Sequence, residues 1–339
     1  MGRVIGLDFD STSVRGAELS GVGTASPRVE RFGEVGLPPG AVHHGEVVEP
    51  NTVADALRRL WESARFSTRA VALGIGSHRV IARPLTVDDG KPEQVRLALP
   101  MHADGLLPFP SSEALIDFYP IERDPAHPGK VRGLLVAAAR DAVDDNVSAV
   151  RRAKLRPEAV DLVPFALART LLRGDHADGT VGLVEATGST TNVLIASDGV
   201  PQFLRIIPSG LDEVATQLAA LLGLEDAEAQ AAVVTADLAS EPYLIDALRD
   251  AAQPLVNAVG NTVDYYLGTS EAGELRHILL TGHGMHSQLL GEQLQARTRK
   301  RVLPADPLDQ VRLARRVDRA AIAASSSAVA IGLAMGVAS

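Results

Sequence analysis

Two segments of the chain end an apolar run on an acidic residue and continue into small hydroxyl side chains. The first carries Asp8 and Asp10 followed by Ser11, Thr12 and Ser13; the second carries Glu185 and, after Ala186 and Thr187, Gly188, Ser189, Thr190 and Thr191. A third segment, Thr281-Gly282-His283-Gly284, places two glycines in a tight turn. A bound phosphate needs backbone N–H groups that converge on it and small residues that let the chain come close, with hydroxyls as added donors. A carboxylate at the strand end, here Asp8, would hold Mg2+ through water. Two such loops face to face would clamp a triphosphate.

The elements that must position these groups are readable from periodicity. Val4 to Asp10 reads as a strand, Ser11 to Ser13 as a turn, and Val14 to Leu19 as the returning strand of a hairpin. Val181 to Glu185, the turn at Ala186 to Thr191 and the return from Asn192 repeat that unit, with Glu185 standing 177 positions after Asp8. Repetition on this scale predicts a duplicated lobe, because a solenoid repeats every ~20–50 residues. Eight prolines between positions 84 and 128 break that stretch into short pieces, which predicts a small inserted subdomain. The expected division is residues 1–82 and 131–174 for a first lobe and 83–130 for the insert. Residues 178–224 and 274–339 form a second lobe, with a helical subdomain at 225–273. The helical stretch holds two amphipathic runs, Leu244–Ala258 and Val259–Leu267.

Composition narrows the function classes. The chain has 339 residues, of which 46% are apolar and 22% charged, enough for a large core and two lobes. The net charge of −9 argues against a general nucleic-acid binder, which needs a basic face. There is no cysteine, so disulfides, cysteine-ligated metals and a thiol nucleophile are excluded. His43-His44 and His102 lack metal-type spacing. The start of the sequence has no signal-peptide pattern, and the apolar stretch Ala328 to Ala338 is far short of the ~20 residues a spanning helix needs. The expectation is a cytoplasmic protein without direct membrane insertion.

Taken in order, these segments resemble the actin-like superfamily, which includes actin, sugar kinases, FtsA and MreB, and most closely the PilM family of type IV pilus assembly. The resemblance rests on Ile5-Gly6-Leu7-Asp8 with Ser11-Thr12-Ser13-Val14-Arg15, on Leu37-Pro38-Pro39-Gly40, and on Leu107-Pro108-Phe109-Pro110. Val160-Asp161-Leu162-Val163-Pro164-Phe165-Ala166, Val263-Asp264-Tyr265-Tyr266, Leu280-Thr281-Gly282 and Ala330-Ile331-Gly332-Leu333-Ala334 continue it. It implies an α/β, two-lobed, duplicated ribonuclease H-like fold with ATP and Mg2+ between the lobes. Asp8, Asp10, Ser11, Thr12, Ser13, Glu185, Gly188, Ser189, Thr190, Thr191, Gly210, Gly282, His283 and Gly284 would contact the nucleotide. It also implies docking of the N-terminal cytoplasmic peptide of a PilN-like membrane protein beside the insert, and contact with the pilus motor ATPase.

The sequence departs from the superfamily where the chemistry is most demanding. Asp10 and Thr187 stand where the phosphate loops have glycine, and Glu185 where the second loop has aspartate. Leu211 interrupts the glycine pair at Gly210, His283 interrupts the glycine turn, and Val163 replaces the carboxylate before the helix proline. Without a water-orienting group, the ~10²–10⁴ in rate that positioned proton transfer supplies is missing. The expectation is therefore a pilus-assembly scaffold that binds ATP weakly or not at all and hydrolyses little or none. The alternatives are an ATP-binding conformational switch of the same machine and an FtsA-like cytoskeletal protein. A small-molecule kinase is disfavoured, because no carboxylate is placed to activate a hydroxyl.

Overall fold

A computed structural model of the chain describes residues 3–24, 26–236, 241–269, 273–323 and 326–336. Residues 237–240 and 270–272 of the expected helical stretch, and 337–338 of the apolar stretch near the C-terminus, lie outside them.

The first lobe starts with β1 (Ile5–Phe9), β2 (Ser13–Ser20) and β3 (Arg28–Gly36), an antiparallel meander. The two-residue strands β4 (Val42–His43) and β5 (Glu46–Val47) make a short hairpin, and α1 (Pro50–Ala64) leads to β6 (Ala70–Ile75), which pairs parallel to β1. Val53, Ala56, Leu57 and Leu60 form the buried stripe of α1, at the i, i+3, i+4, i+7 spacing of one helical face. After the insert come α3 (Arg140–Arg152), β10 (Arg156–Leu162) and α4 (Val163–Leu171), with β10 parallel to β6.

The insert is built from β7 (Val80–Asp88), α2 (Pro92–Ala103), β8 (Ala114–Arg123) and β9 (Lys130–Ala139). Its three-stranded sheet runs β7-β9-β8 and is wider than residues 83–130. The run from Val131, assigned by its apolar character to the first lobe, pairs with β7 and β8 instead. Such a run is equally suited to the middle of a small sheet, because a central strand is buried on both faces wherever it lies.

The second lobe repeats the plan with β11 (Thr180–Ala186), β12 (Thr191–Ser197) and β13 (Val200–Ile207), then α5 (Leu211–Leu222), α6 (Asp226–Thr235) and α7 (Pro242–Leu267). The two amphipathic runs expected around Ala258 join into the single helix α7, with Pro254 inside it. The lobe continues with β14 (Leu275–Gly282), α8 (Gln288–Thr298) and β15 (Arg301–Pro304), and its sheet order is β13-β12-β11-β14-β15. The last elements, β16 (Arg312–Leu313), α9 (Arg319–Ala323) and α10 (Ala328–Gly336), return to the first lobe. β16 extends the first sheet beyond β3, giving the order β10-β6-β1-β2-β3-β16. α10 is buried from Ala328 to Met335 and packs on β1 and α4, so residues 274–339 are not one lobe as the sequence suggested. The approach is close enough that a Cβ on Gly6 would overlap the Ala330 carbonyl and one on Gly332 the Ala166 carbonyl.

Candidate functional site

The site lies where the β1–β2 and β11–β12 turns meet, and hairpin register decides its chemistry. Asp8 is paired with Arg15 across β1 and β2, and Arg15 with Glu34 across β2 and β3. Directly opposed residues share a face of the sheet, so their side chains meet. Arg15 is 0% exposed and its guanidinium is divided among three carboxylates. Nη1 donates to Asp8 Oδ2 at 3.2 Å, Nη2 to Asp10 Oδ2 at 3.1 Å, and Nε to Glu34 Oε1 at 2.8 Å. Ser13 Oγ also donates to Glu34 Oε1, at 2.6 Å. In the second lobe the same register opposes Glu185 to Asn192, whose amide donates to Glu185 Oε2 at 2.9 Å. Ser326, just before α10, donates to Glu185 Oε1 at 3.3 Å. The duplicated unit thus holds an acid with a cation in one lobe and an acid with a neutral amide in the other.

The turns themselves close alike, with Asp10 N donating to Ser13 O at 2.9 Å and Thr187 N to Thr190 O at 3.0 Å. They then touch each other. Ser11 Oγ donates to Asp212 Oδ2 at 3.0 Å, and a Cβ on Gly188 would overlap Ser11 Oγ. The first N–H groups of α5 are spent on the second turn: Leu211 N donates to Thr187 O and Asp212 N to Gly188 O, both at 2.9 Å. Glu213 Oε2 accepts from Gly210 N at 2.7 Å. Gly210 is pressed against the carbonyls of Thr187 and Gly188, and Gly282, at φ +70, against the Ala186 carbonyl. Gly284 faces the Ala186 methyl group, and His283 brings its Nδ1 to 3.9 Å from Asp10 Oδ2.

The remaining expected loop residues have internal roles. Thr191 Oγ1 donates to Ser209 O at 2.9 Å, Thr190 Oγ1 lies 3.2 Å from Thr187 Oγ1, and Ser189 Oγ accepts from His44 N at 3.2 Å. Thr12 is exposed, and its carbonyl accepts from Leu37 N. Val163 heads α4, buried against Gly74 and Gly76.

Burial sets the electrostatics. It pushes Asp8 up to about 6, with Arg15 pulling the other way and Asp10 adding to the rise. Asp10 is buried as well, but the charges of Arg15 and His283 and the N–H of Ser11 outweigh burial and hold its carboxyl below the ordinary range. Glu185, with no cation of its own, is pushed up to about 8 by burial and by the charge of Asp8. Asp212 is raised by burial against the bond from Ser11, and His283 is lowered by burial and by Arg15. Burial and pairing therefore favour charge on Asp10, against Arg15, and disfavour it on Glu185.

As arranged, the polar groups of the two turns are engaged with one another. The cation of the first turn is already paired, the turns abut, and the first N–H groups of α5 are occupied. If nucleotide were bound, Asp8 would be the group placed to hold Mg2+ and Arg15 the group placed to meet phosphate.

Arg15 (quoted in the first motif but given no role there), Asn192, Asp212 and Ser326 are site residues that motif reading does not assign. A signal for the first two exists, since each stands seven positions after the acid of its hairpin, so a hairpin with a tight turn must oppose the pair. Ser11 with Asp212 and Ser326 with Glu185 are long-range contacts that leave no such signal.

Comparison with known proteins agrees with this architecture. A PilM–PilN type IV pilus biogenesis complex is 22% identical, with a TM-score of 0.83, over 98% of this chain and 97% of that one. The ethanolamine utilization protein EutJ from Carboxydothermus hydrogenoformans is 14% identical, with a TM-score of 0.59, over 99% and 90% of the two chains. MreB5 of Spiroplasma citri bound to ADP is 11% identical, with a TM-score of 0.54, over 97% and 94%. These likenesses establish the actin-like two-lobed fold expected from the sequence. The family model described as type IV pilus assembly protein PilM matches residues 6–337, and the chain therefore belongs to the PilM family.

Proposed function

We propose that this protein is a cytoplasmic assembly scaffold of a type IV pilus machine that docks the N-terminal segment of a PilN-like membrane protein and hydrolyses little or no ATP. The observation that carries this reading is a groove of about 460 Å³ between the insert and the first lobe. Two edge strands flank it: among the described residues, β8 pairs only with β9 and β10 only with β6. An extended segment added to such an edge gains backbone hydrogen bonds, and pockets for alternate side chains give selectivity. The groove wall is apolar at Leu115, Val160 and the tilted pair Tyr119 and Phe165, whose rings lie 4.8 Å apart. Leu115 and Val160 are 37% and 44% exposed, large apolar side chains that a partner would cover. The ion pairs Arg96–Asp117 and Asp161–Arg169 supply both charges along its walls.

The groove is partly outside the stretch 84–130 that sequence reading favoured, since β10 and α4 form one wall. The neighbour that holds PilM with PilN supports the choice of partner. Among the described residues no helix is long and apolar enough to cross a membrane, so membrane association is assigned to the partner, and the pilus motor ATPase is a further candidate contact.

The test is titration calorimetry with a synthetic peptide of the N-terminal segment of the PilN-like protein encoded beside this one. Saturable binding is expected. Val160→Asp and Leu115→Asp, each placing a carboxylate on the groove wall, are expected to weaken it at least tenfold, about 1.4 kcal/mol, with an unchanged melting temperature. No binding by the unmodified protein, or equal binding by both variants, sinks the assignment.

A further inference from the structure

We infer that Asp10 is a built-in substitute for phosphate: its carboxylate takes up the backbone N–H and the cation that the first loop would offer an anion, without nucleotide. This rests on the reading of the protein as a scaffold that does not turn over ATP, and it names the residue responsible.

The argument starts from the donors that surround Asp10. A phosphate on this loop would draw on a backbone N–H of the turn, a nearby cation and a group from the opposite lobe. Asp10 is bonded to the first two and lies near, but beyond hydrogen-bond distance of, a candidate for the third. Its Oδ1 accepts from Ser11 N at 2.7 Å, and its Oδ2 accepts from Arg15 Nη2 at 3.1 Å and lies 3.9 Å from His283 Nδ1 of the second lobe. The side chain is 4% exposed, so the set is shielded from water. In a buried site a carboxylate with a guanidinium and a backbone N–H needs no further ligand, and a second anion would meet its charge directly.

A second carboxylate completes the closure. Ser11 reaches across to Asp212 at the start of α5, the end of a helix that favours an anion. Asp212 and Glu213 both lie in that first turn, so the helix end is also supplied with negative charge by the chain itself. A ligand can select a closed arrangement only by binding it better than the open one. Here the groups that would make that difference are bound to internal carboxylates. The low pKa direction of Asp10 agrees, because the carboxylate stays ionised despite its burial.

The experiment compares Mg-ATP binding by the unmodified protein, Asp10→Gly and Asp10→Asn, using calorimetry and the thermal shift at millimolar ATP. The unmodified protein is expected to show no binding. Asp10→Gly, which removes the carboxylate and frees Nη2 of Arg15 while its bonds to Asp8 and Glu34 remain, is expected to bind at least tenfold more tightly than the measurable limit for the parent. Adding Arg15→Gln to Asp10→Gly is expected to abolish the gain, an effect that a mere loosening of the fold would not produce. Asp10→Asn keeps the shape and removes only the charge, so it reports on the charge if the glycine variant is too unstable to purify. If neither variant binds and the parent does not bind either, the assignment of Asp10 is overturned while the scaffold reading stands. If the parent itself binds Mg-ATP in the micromolar range, the assignment of Asp10 is overturned, and the scaffold reading is left to the peptide titration.

Discussion

Replacing Arg15 with alanine is expected to destabilise the protein by about 3–5 kcal/mol, the cost of stranding buried charge when one partner of a buried ion pair is removed. The guanidinium is wholly buried and serves Asp8, Asp10 and Glu34 at 3.2, 3.1 and 2.8 Å. Without it, Asp8 and Asp10 remain buried beside each other with like charge. Both would then take up protons more readily, so their folded-state pKa values rise. A carboxyl whose folded pKa lies above its unfolded value stabilises the fold at low pH and loses that contribution as pH rises. The defect of Arg15→Ala should accordingly be smaller at pH 5 than at pH 8. Combining it with Asp10→Asn removes one of the stranded charges and should recover part of the loss, since residues in one network do not act additively. Urea unfolding followed by the fluorescence of Trp61, the single tryptophan, measures all of this. A loss below about 1 kcal/mol, of the size expected for a surface ion pair, would show that Arg15 is solvated and that the buried centre is wrong.

The same centre shows what the sequence exposes and what it hides. Both hairpins are legible because a two-residue alternation ends in small polar residues, and their recurrence marks the duplicated fold. The glycine turn at Gly282 is legible for the same local reason, and the structure gives it φ +70. Arg15 is hidden in plain view: an arginine in a returning strand reads as solvent-facing until the register opposes it to Asp8. Contacts across the lobes are not readable at all. Ser11 and Asp212 are 201 positions apart, and neither carries a pattern that points to the other. The C-terminal helix poses another limit. Ala328 to Met335 is apolar on every side, so its sequence says that it is buried but not which sheet it covers. Gly332 and Gly6 hold that information, but a glycine does not announce which backbone it must approach.

Glu185→Gln is expected to stabilise the protein at pH 7 by about 2–3 kcal/mol, at ~1.4 kcal/mol for each unit of pKa displacement. Burial first, and the charge of Asp8 second, raise Glu185 to about 8 from the 4.5 of an unperturbed glutamate. The folded state therefore holds the proton over a range in which the unfolded chain has released it. A raised acid contributes its full stability below pH 4.5 and loses it progressively as pH rises towards 8. Glutamine is never ionised in either state, so the variant should match the parent at pH 4.5 and exceed it increasingly up to about pH 8. Its amide also suits the site. Asn192 donates to Glu185 Oε2, and Ser326 lies against Glu185 Oε1. A glutamine offers an oxygen to the Asn192 amide and a donor to Ser326, whose hydroxyl can accept as readily as donate. Urea unfolding at pH 5, 7 and 8.5 separates the outcomes. A variant less stable than the parent at pH 7, or one with the same pH slope, would mean that Glu185 is ionised. An ionised Glu185 facing Asp8 would form a pair of carboxylates able to hold Mg2+, which returns the cleft to nucleotide. A gain in stability instead leaves the second loop with no charge to offer a metal, in keeping with a cleft closed on its own side chains.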